Sequence, residues 1–367
     1  MNIDELIEKS KSMPNISDGG SCAYSFGDYI LVRYDGHNKY GKARDMEEKV
    51  AVAANNKNEK GVHTPKHIAI KRIIDAGMNY CYVLQEKAKG VSFTNYALGH
   101  KPTEEQIMKQ QELVEAPQEH FDKLATDYVE LFNMGLEPKA KNVFYDKDYG
   151  FTLIDLLRYD ENGANLESLR DIGHLKMLME CISNQTLIWD SDNLYPELIK
   201  KSKELFYKLQ AKIYLALKKI VPSKYRRFLL RMFNDEELKY FREAGILQED
   251  LSLTIDEQIA ISVLLNDLVA DCFKKVSTGE FELWQIELNE IRNGISGMGL
   301  ISSYKYYLDG PIKRENFERE YDFESAIQDF LINICLNNFY DLVLNDTSDN
   351  KYILKAKEEI EKKKATK

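Results

Sequence analysis

The spacing of apolar and polar positions changes several times along this chain, and each change marks an element. Residues 1–12 carry apolar positions at helical spacing and stop before Pro14, predicting a short amphipathic helix. Tyr29–Tyr34 then predicts a strand, 45–58 a helix with Met46, Val50, Ala53 and Ala54 on its apolar stripe, and 67–74 and 80–86 two further strands. Helices follow at 103–115 and, after Pro117, at 118–133, where Phe121, Leu124, Tyr128, Leu131 and Phe132 form a buried face. Val143-Phe144-Tyr145, a polar turn and the run Phe151–Ile154 predict a hairpin. Another helix opens over 166–175. From Leu194 onward the pattern is helical throughout, with stripes at 256–274, 280–295 and 321–343, and the charged tail 358–364 is expected to fray.

Composition narrows the class. At 367 residues the chain exceeds one compact core, and 44% hydrophobic residues make it a folded protein. A net charge of −10 argues against a protein that coats nucleic acid with its whole surface. Five scattered cysteines without a C-x-x-C pair read as reduced thiols of a cytoplasmic protein. Six histidines, all before residue 175, show no metal-ligand spacing, so a zinc site is not expected. The start lacks an apolar h-region, so no signal peptide is expected. The longest apolar run is far too short to span a bilayer.

The chemistry concentrates in Gly135–Tyr159, GLEPKAKNVFYDKDYGFTLIDLLRY. Asn142 and Asp155 stand at the outer ends of the expected hairpin, so pairing its strands brings an amide oxygen and a carboxylate together. Glu137 lies five residues before Asn142. Such a donor set suits a magnesium-phosphate site; an ordinary hairpin with polar ends is the plain alternative.

This stretch resembles the catalytic loop and metal-binding segment of the protein-kinase-like superfamily, which includes small-molecule and antibiotic kinases. Glu137, Lys139 and Asn142 occupy the first frame and Asp155-Leu156-Leu157 the second. The His, Arg, catalytic Asp and Phe-Gly of the pattern are replaced. The resemblance implies an α+β, two-lobed fold: an N-lobe sheet plus one helix (1–90), a C-lobe core (91–190) and an α-helical C-terminal region (191–367). It implies ATP and Mg2+ as cofactors, with Glu137 and Lys139 catalytic and Asn142 and Asp155 holding the metal. Gly19, Gly20 and Ser21 would cover the phosphates, although G-G-S is also an ordinary hairpin turn. Arg33 would stand where a phosphate-gripping Lys is usual, paired with Glu47 of the 45–58 helix, with Glu48 the next choice. Glu86, Lys87 and Ala88 would offer backbone groups to adenine. Lys71 mimics the V-A-I-K string but is expected to face solvent, since too few residues separate it from the next strand.

The implied activity is phosphoryl transfer to an unidentified hydroxyl acceptor. A pseudokinase-type binding module, or another nucleotide-transfer chemistry on the same fold, are the alternatives. Between Lys200 and Arg231, eleven basic residues face one acid, a window of +10. That face binds an anionic partner, or is solvated, or docks on acidic parts of the same protein.

Overall fold

A computed structural model describes residues 2–16, 22–35, 61–75, 78–92, 104–134, 136–138, 143–154, 156–158, 169–184, 186–187, 195–297, 299–307 and 309–365. The chain divides into two compact units, Met1–Asn165 with Leu175–Ile220, and Leu166–His174 with Val221–Lys367.

The first unit opens with helix α1 (Ile3–Ser10), capped by Asn2, whose side chain accepts the Asp4 N–H at 3.0 Å. Strands β1 (Cys22–Phe26), β2 (Tyr29–Asp35), β3 (His67–Asp75) and β4 (Met78–Glu86) form an antiparallel sheet in the order β1-β2-β4-β3. The turn between β1 and β2 has Gly27 at φ 65°, a conformation glycine takes without strain. Strand side chains alternate between faces. The register Tyr24↔Leu31, Leu31↔Leu84 and Ala69↔Leu84 therefore puts these residues on one face. Leu6 and Ile7 of α1 bury against that face, among Tyr24, Leu31, Tyr82 and Leu84. The helix expected over 45–58 lies outside the described residues.

Next come β5 (Val91–Ser92), α2 (Glu104–Glu115), α3 (Gln118–Phe132), β6 (Leu136–Pro138), the hairpin β7 (Val143–Asp146) and β8 (Gly150–Leu153), β9 (Leu156–Arg158), α4 (Leu169–Asn184) and α5 (Pro196–Ile220). The apolar stripe read from 118–133 is buried as expected, with Phe121, Tyr128, Leu131 and Phe132 wholly covered. Helix α5 packs on α2 and α3. Buried Gln110 reaches the Ser202 carbonyl at 2.9 Å, and Lys212 donates to the Ala116 carbonyl at 2.5 Å.

In the second unit, α6 (Arg226–Arg231), α7 (Asp235–Glu243) and α8 (Ile255–Ser277) precede a short helix, Leu283–Gln285. A π-turn, Ile286–Glu290, runs into α9 (Ile291–Gly297), followed by α10 (Leu300–Tyr304), α11 (Glu320–Asn345) and α12 (Lys351–Ala365). Capping boxes start α7 (Asn234 with Glu237) and α8 (Thr254 with Glu257). Helices α8 and α11 pack together, with Cys272, Cys335, Leu331 and Phe339 in the interior. Two local expectations are corrected. The stripe at 280–295 is broken by the π-turn. The tail does not fray: α12 runs to Ala365, because Ile353, Ala356 and Ile360 bury at helical spacing while Lys355 and Lys363 pair with Glu282 and Glu287.

The architecture is α+β, a small antiparallel sheet near the start with a mostly helical remainder, in agreement with the class read from the sequence. Among the described residues no helix is long and apolar enough to cross a membrane.

Candidate functional site

The β7–β8 hairpin is built by its turn. The Asp146 carboxylate accepts the N–H groups of Asp148 and Tyr149 at 2.9 Å, and Gly150 takes φ 90°, so the chain reverses without strain. Val143 pairs with Leu153 at the open end. All four β8 residues are buried, and Phe151 packs between Phe121 of α3 and Tyr145.

A second ladder lies on either side of it in sequence. In β6 and β9, Leu136 pairs with Arg158, Glu137 with Leu157 and Pro138 with Leu156. Residues 139–142 thus join two paired positions, Pro138 and Val143, and residues 154–155 join their partners, Leu153 and Leu156. The backbone of Glu137 lies opposite Leu157, two residues beyond Asp155. Lys139, Asn142 and Asp155 themselves lie outside the described residues, as do Gly19, Gly20, Ser21 and Glu47.

Of the remaining candidates, Glu86 ends β4, exposed, and Ala88 is half-buried just after it. Here the Glu86 N–H donates to the Lys66 carbonyl and the Lys87 N–H to the Asp28 carbonyl, both at 2.8 Å. Gly90 follows with φ +84°, and a Cβ there would sit 1.9 Å from the Tyr145 carbonyl oxygen. Val91 and Ser92 then pair with Tyr145 and Phe144, stitching the exit from the sheet onto the hairpin.

Arg33 pairs with Cys22 on one side and Tyr82 on the other, on the sheet face that α1 covers. Its guanidinium donates to Cys22 Sγ at 3.3 Å and lies 5.2 Å from the centre of the Tyr80 ring. Burial raises the Tyr82 phenol pKa, and Arg33 opposes the shift. Lys71, on the same face, has an exposed side chain, as expected, and pairs with Asp4 of α1.

The sequence reading missed a cluster around His63. Its N–H donates to the Asp127 carboxylate of α3 at 3.2 Å, its carbonyl accepts the Leu153 N–H at 2.9 Å, and Nδ1 lies 3.2 Å from the Phe151 carbonyl. Its ring stacks on Tyr149 at 4.2 Å, and Lys89 sits 3.8 Å from the centre of the Tyr149 ring. Asp127 is 2% exposed and paired with Lys123. Burial raises the Asp127 carboxyl pKa against the pull of Lys123, while burial and then Lys123 push the His63 imidazole down. One signal was available in sequence: Asp127 stands three residues after Leu124 and four before Leu131, an acid on an otherwise apolar stripe.

Among the described residues, no group of three or more His, Cys, Asp or Glu side chains is placed to hold a metal ion. Part of the basic segment is engaged within the fold. Lys212 bonds the Ala116 carbonyl, Lys219 pairs with Asp122, and Arg227 and Arg231 share Glu257. Lys200, Lys201, Lys203 and Lys208 remain exposed on the first half of α5.

No protein-family model and no curated protein matches the sequence. Among solved structures, vaccinia related kinase 3 matches over 66% of this chain and 97% of its own, at 12% identity and a TM-score of 0.30. A second solved kinase domain matches over 68% of this chain and 82% of its own, at 11% identity and a TM-score of 0.29. Scores of that size carry no argument by themselves, so a functional reading rests on the strand register and the two ladders around residues 136–158.

Proposed function

We propose that the chain is a kinase-like phosphotransferase acting on a hydroxyl acceptor with ATP and Mg2+. The observation that supports this best is the pair of ladders, β6 with β9 and β7 with β8, which brackets Lys139–Asn142 and Asp155. Carboxylate and amide oxygens are the donor set a hard divalent ion takes, so Asn142 and Asp155 suit Mg2+. When bound, that ion neutralises phosphate charge. Glu137 accepts the acceptor hydroxyl's proton, and Lys139 balances charge on the moving group. Arg33, with Glu47, takes the α- and β-phosphates, Gly19, Gly20 and Ser21 cover them, and backbone groups of Glu86 and Ala88 meet adenine. Lys200, Lys201, Lys203 and Lys208 are the positions that an anionic partner would engage.

A second reading, a binding module that holds nucleotide without turning it over, is favoured by one observation. The guanidinium of Arg33 is engaged by Cys22 and Tyr80. Labelled ATP with magnesium separates the two. Phosphotransferase activity, or its hydrolytic side reaction, should fall by about a hundredfold or more in Glu137→Ala and be lost in Asp155→Ala. Thermal stabilisation by ATP with no turnover supports the module. No effect of nucleotide on melting rejects both.

A further inference from the structure

We propose that α1 is an intrasteric plug: it occupies the sheet surface on which the nucleotide would lie, and binding requires its release. The inference rests on the nucleotide-binding reading above.

Arg33, at the phosphate end of the proposed nucleotide site, sets the face: its side chain lies on the side of the sheet that α1 covers, and the backbone of Glu86, at the adenine end, stands at the end of the neighbouring strand. Arg33 pairs with Tyr82, Leu31 with Leu84 and Tyr29 with Glu86. From the phosphate end at Arg33 to the adenine end at Glu86 is thus four residues along neighbouring strands, about 13 Å at ~3.3 Å per residue. An extended nucleoside polyphosphate fits that span. A nucleotide bridging it must cross Leu31 and Leu84. Both are wholly buried, and Leu6 and Ile7 of α1 are among the side chains packed with them. Asp4 at the start of the helix is tied to Lys71 of β3. Helix and nucleotide compete for one surface.

The plug is held lightly. Eight residues fall below the roughly 12–15 at which an isolated helix becomes even marginally stable in water, so a released α1 unfolds. Among the described residues, the contacts of the helix itself include the buried side chains of Leu6 and Ile7, flanking contacts from Ile3 and Met13, and one exposed ion pair, while Asn15 and Ile16 beyond it bond to Ala23 of β1. If the open state is a tenth of molecules or less, the apparent affinity is lowered by about tenfold or more.

The test uses the full chain and MgATP. Asp4→Lys, which breaks the ion pair at an exposed position, should tighten MgATP binding several-fold, and Leu6→Asp should tighten it about tenfold or more. In the unaltered chain, saturating MgATP should speed amide exchange over Ile7–Ser10, a readout that survives even if Leu6→Asp unfolds. MgATP binding with those amides still protected, or with no tightening in Asp4→Lys, overturns the plug and leaves nucleotide binding intact. Absence of MgATP binding in every form overturns the plug together with the functional reading.

Discussion

Burial at the start of β3 pushes the His67 imidazole down to about 4. With a folded value below the ordinary 6.5, the unfolded chain binds more protons between the two. Stability is therefore complete above about pH 6.5 and is lost as the pH falls towards 4. The shift corresponds to on the order of 3 kcal/mol at the acid end. His63 is shifted in the same direction. Urea unfolding at pH 7.5 and pH 5 should show the loss, and His67→Gln should remove most of it; an unchanged pH slope in the variant would refute the assignment. Gly90 is the other residue on which much depends. A side chain there meets both a left-handed backbone and the Tyr145 carbonyl. Gly90→Ala should cost roughly 2–4 kcal/mol, read as a fall in Tm.

The segment around His63, before β3, and the entry to α8 show how single elements are fixed by distant partners. Arg231 is wholly buried and donates to Glu257, to the Leu251 carbonyl and to the Ser252 carbonyl, while Arg227 reaches Glu257 and Ser252 beside it. Burial alone would raise the Glu257 carboxyl pKa; hydrogen bonds from Arg231 and the Thr254 N–H, with both arginine charges, hold it below its ordinary value. Removing the arginine leaves a cavity and strips the Leu251 carbonyl of this donor, while Arg227 and the Thr254 N–H still hold Glu257 and Arg227 still holds the Ser252 carbonyl, so Arg231→Ala should cost roughly 2–4 kcal/mol in chemical denaturation. Thr254→Ala, which takes only the cap, should cost about 1 kcal/mol. The cap itself was readable, since Thr254 and Glu257 stand at capping-box spacing. The buried Arg231 was not: its charge read as part of a basic surface, and only the loop folded over it shows otherwise. The hairpin lies at the readable end of the scale, because Asp146 through Gly150 are turn residues between two apolar runs. The His63–Asp127 bond lies at the other, joining residues 64 positions apart.

Across the whole molecule, all five cysteines are free thiols, but they are not equivalent. Cys81, Cys272 and Cys335 are buried, and burial raises Cys272 to about 12 and Cys335 to about 11. Cys22 and Cys181 are only half-buried. A thiol reagent at neutral pH should modify at most those two in the native chain and all five after denaturation; fast reaction of a third would contradict the packing. The same contrast between local and distant causes runs through the protein. Helices, strands and the hairpin were legible because period and turn chemistry are properties of neighbouring residues. Amino-acid order alone determined an α+β chain with a small sheet at its start, and singled out residues 135–159 as its chemically richest stretch. Tertiary structure decided that α1 covers the Arg33 face, that Asp127 is buried against His63, and which cations of the 200–231 segment are consumed internally. Each of those depends on which distant surfaces come together to exclude water, and no local pattern records that choice.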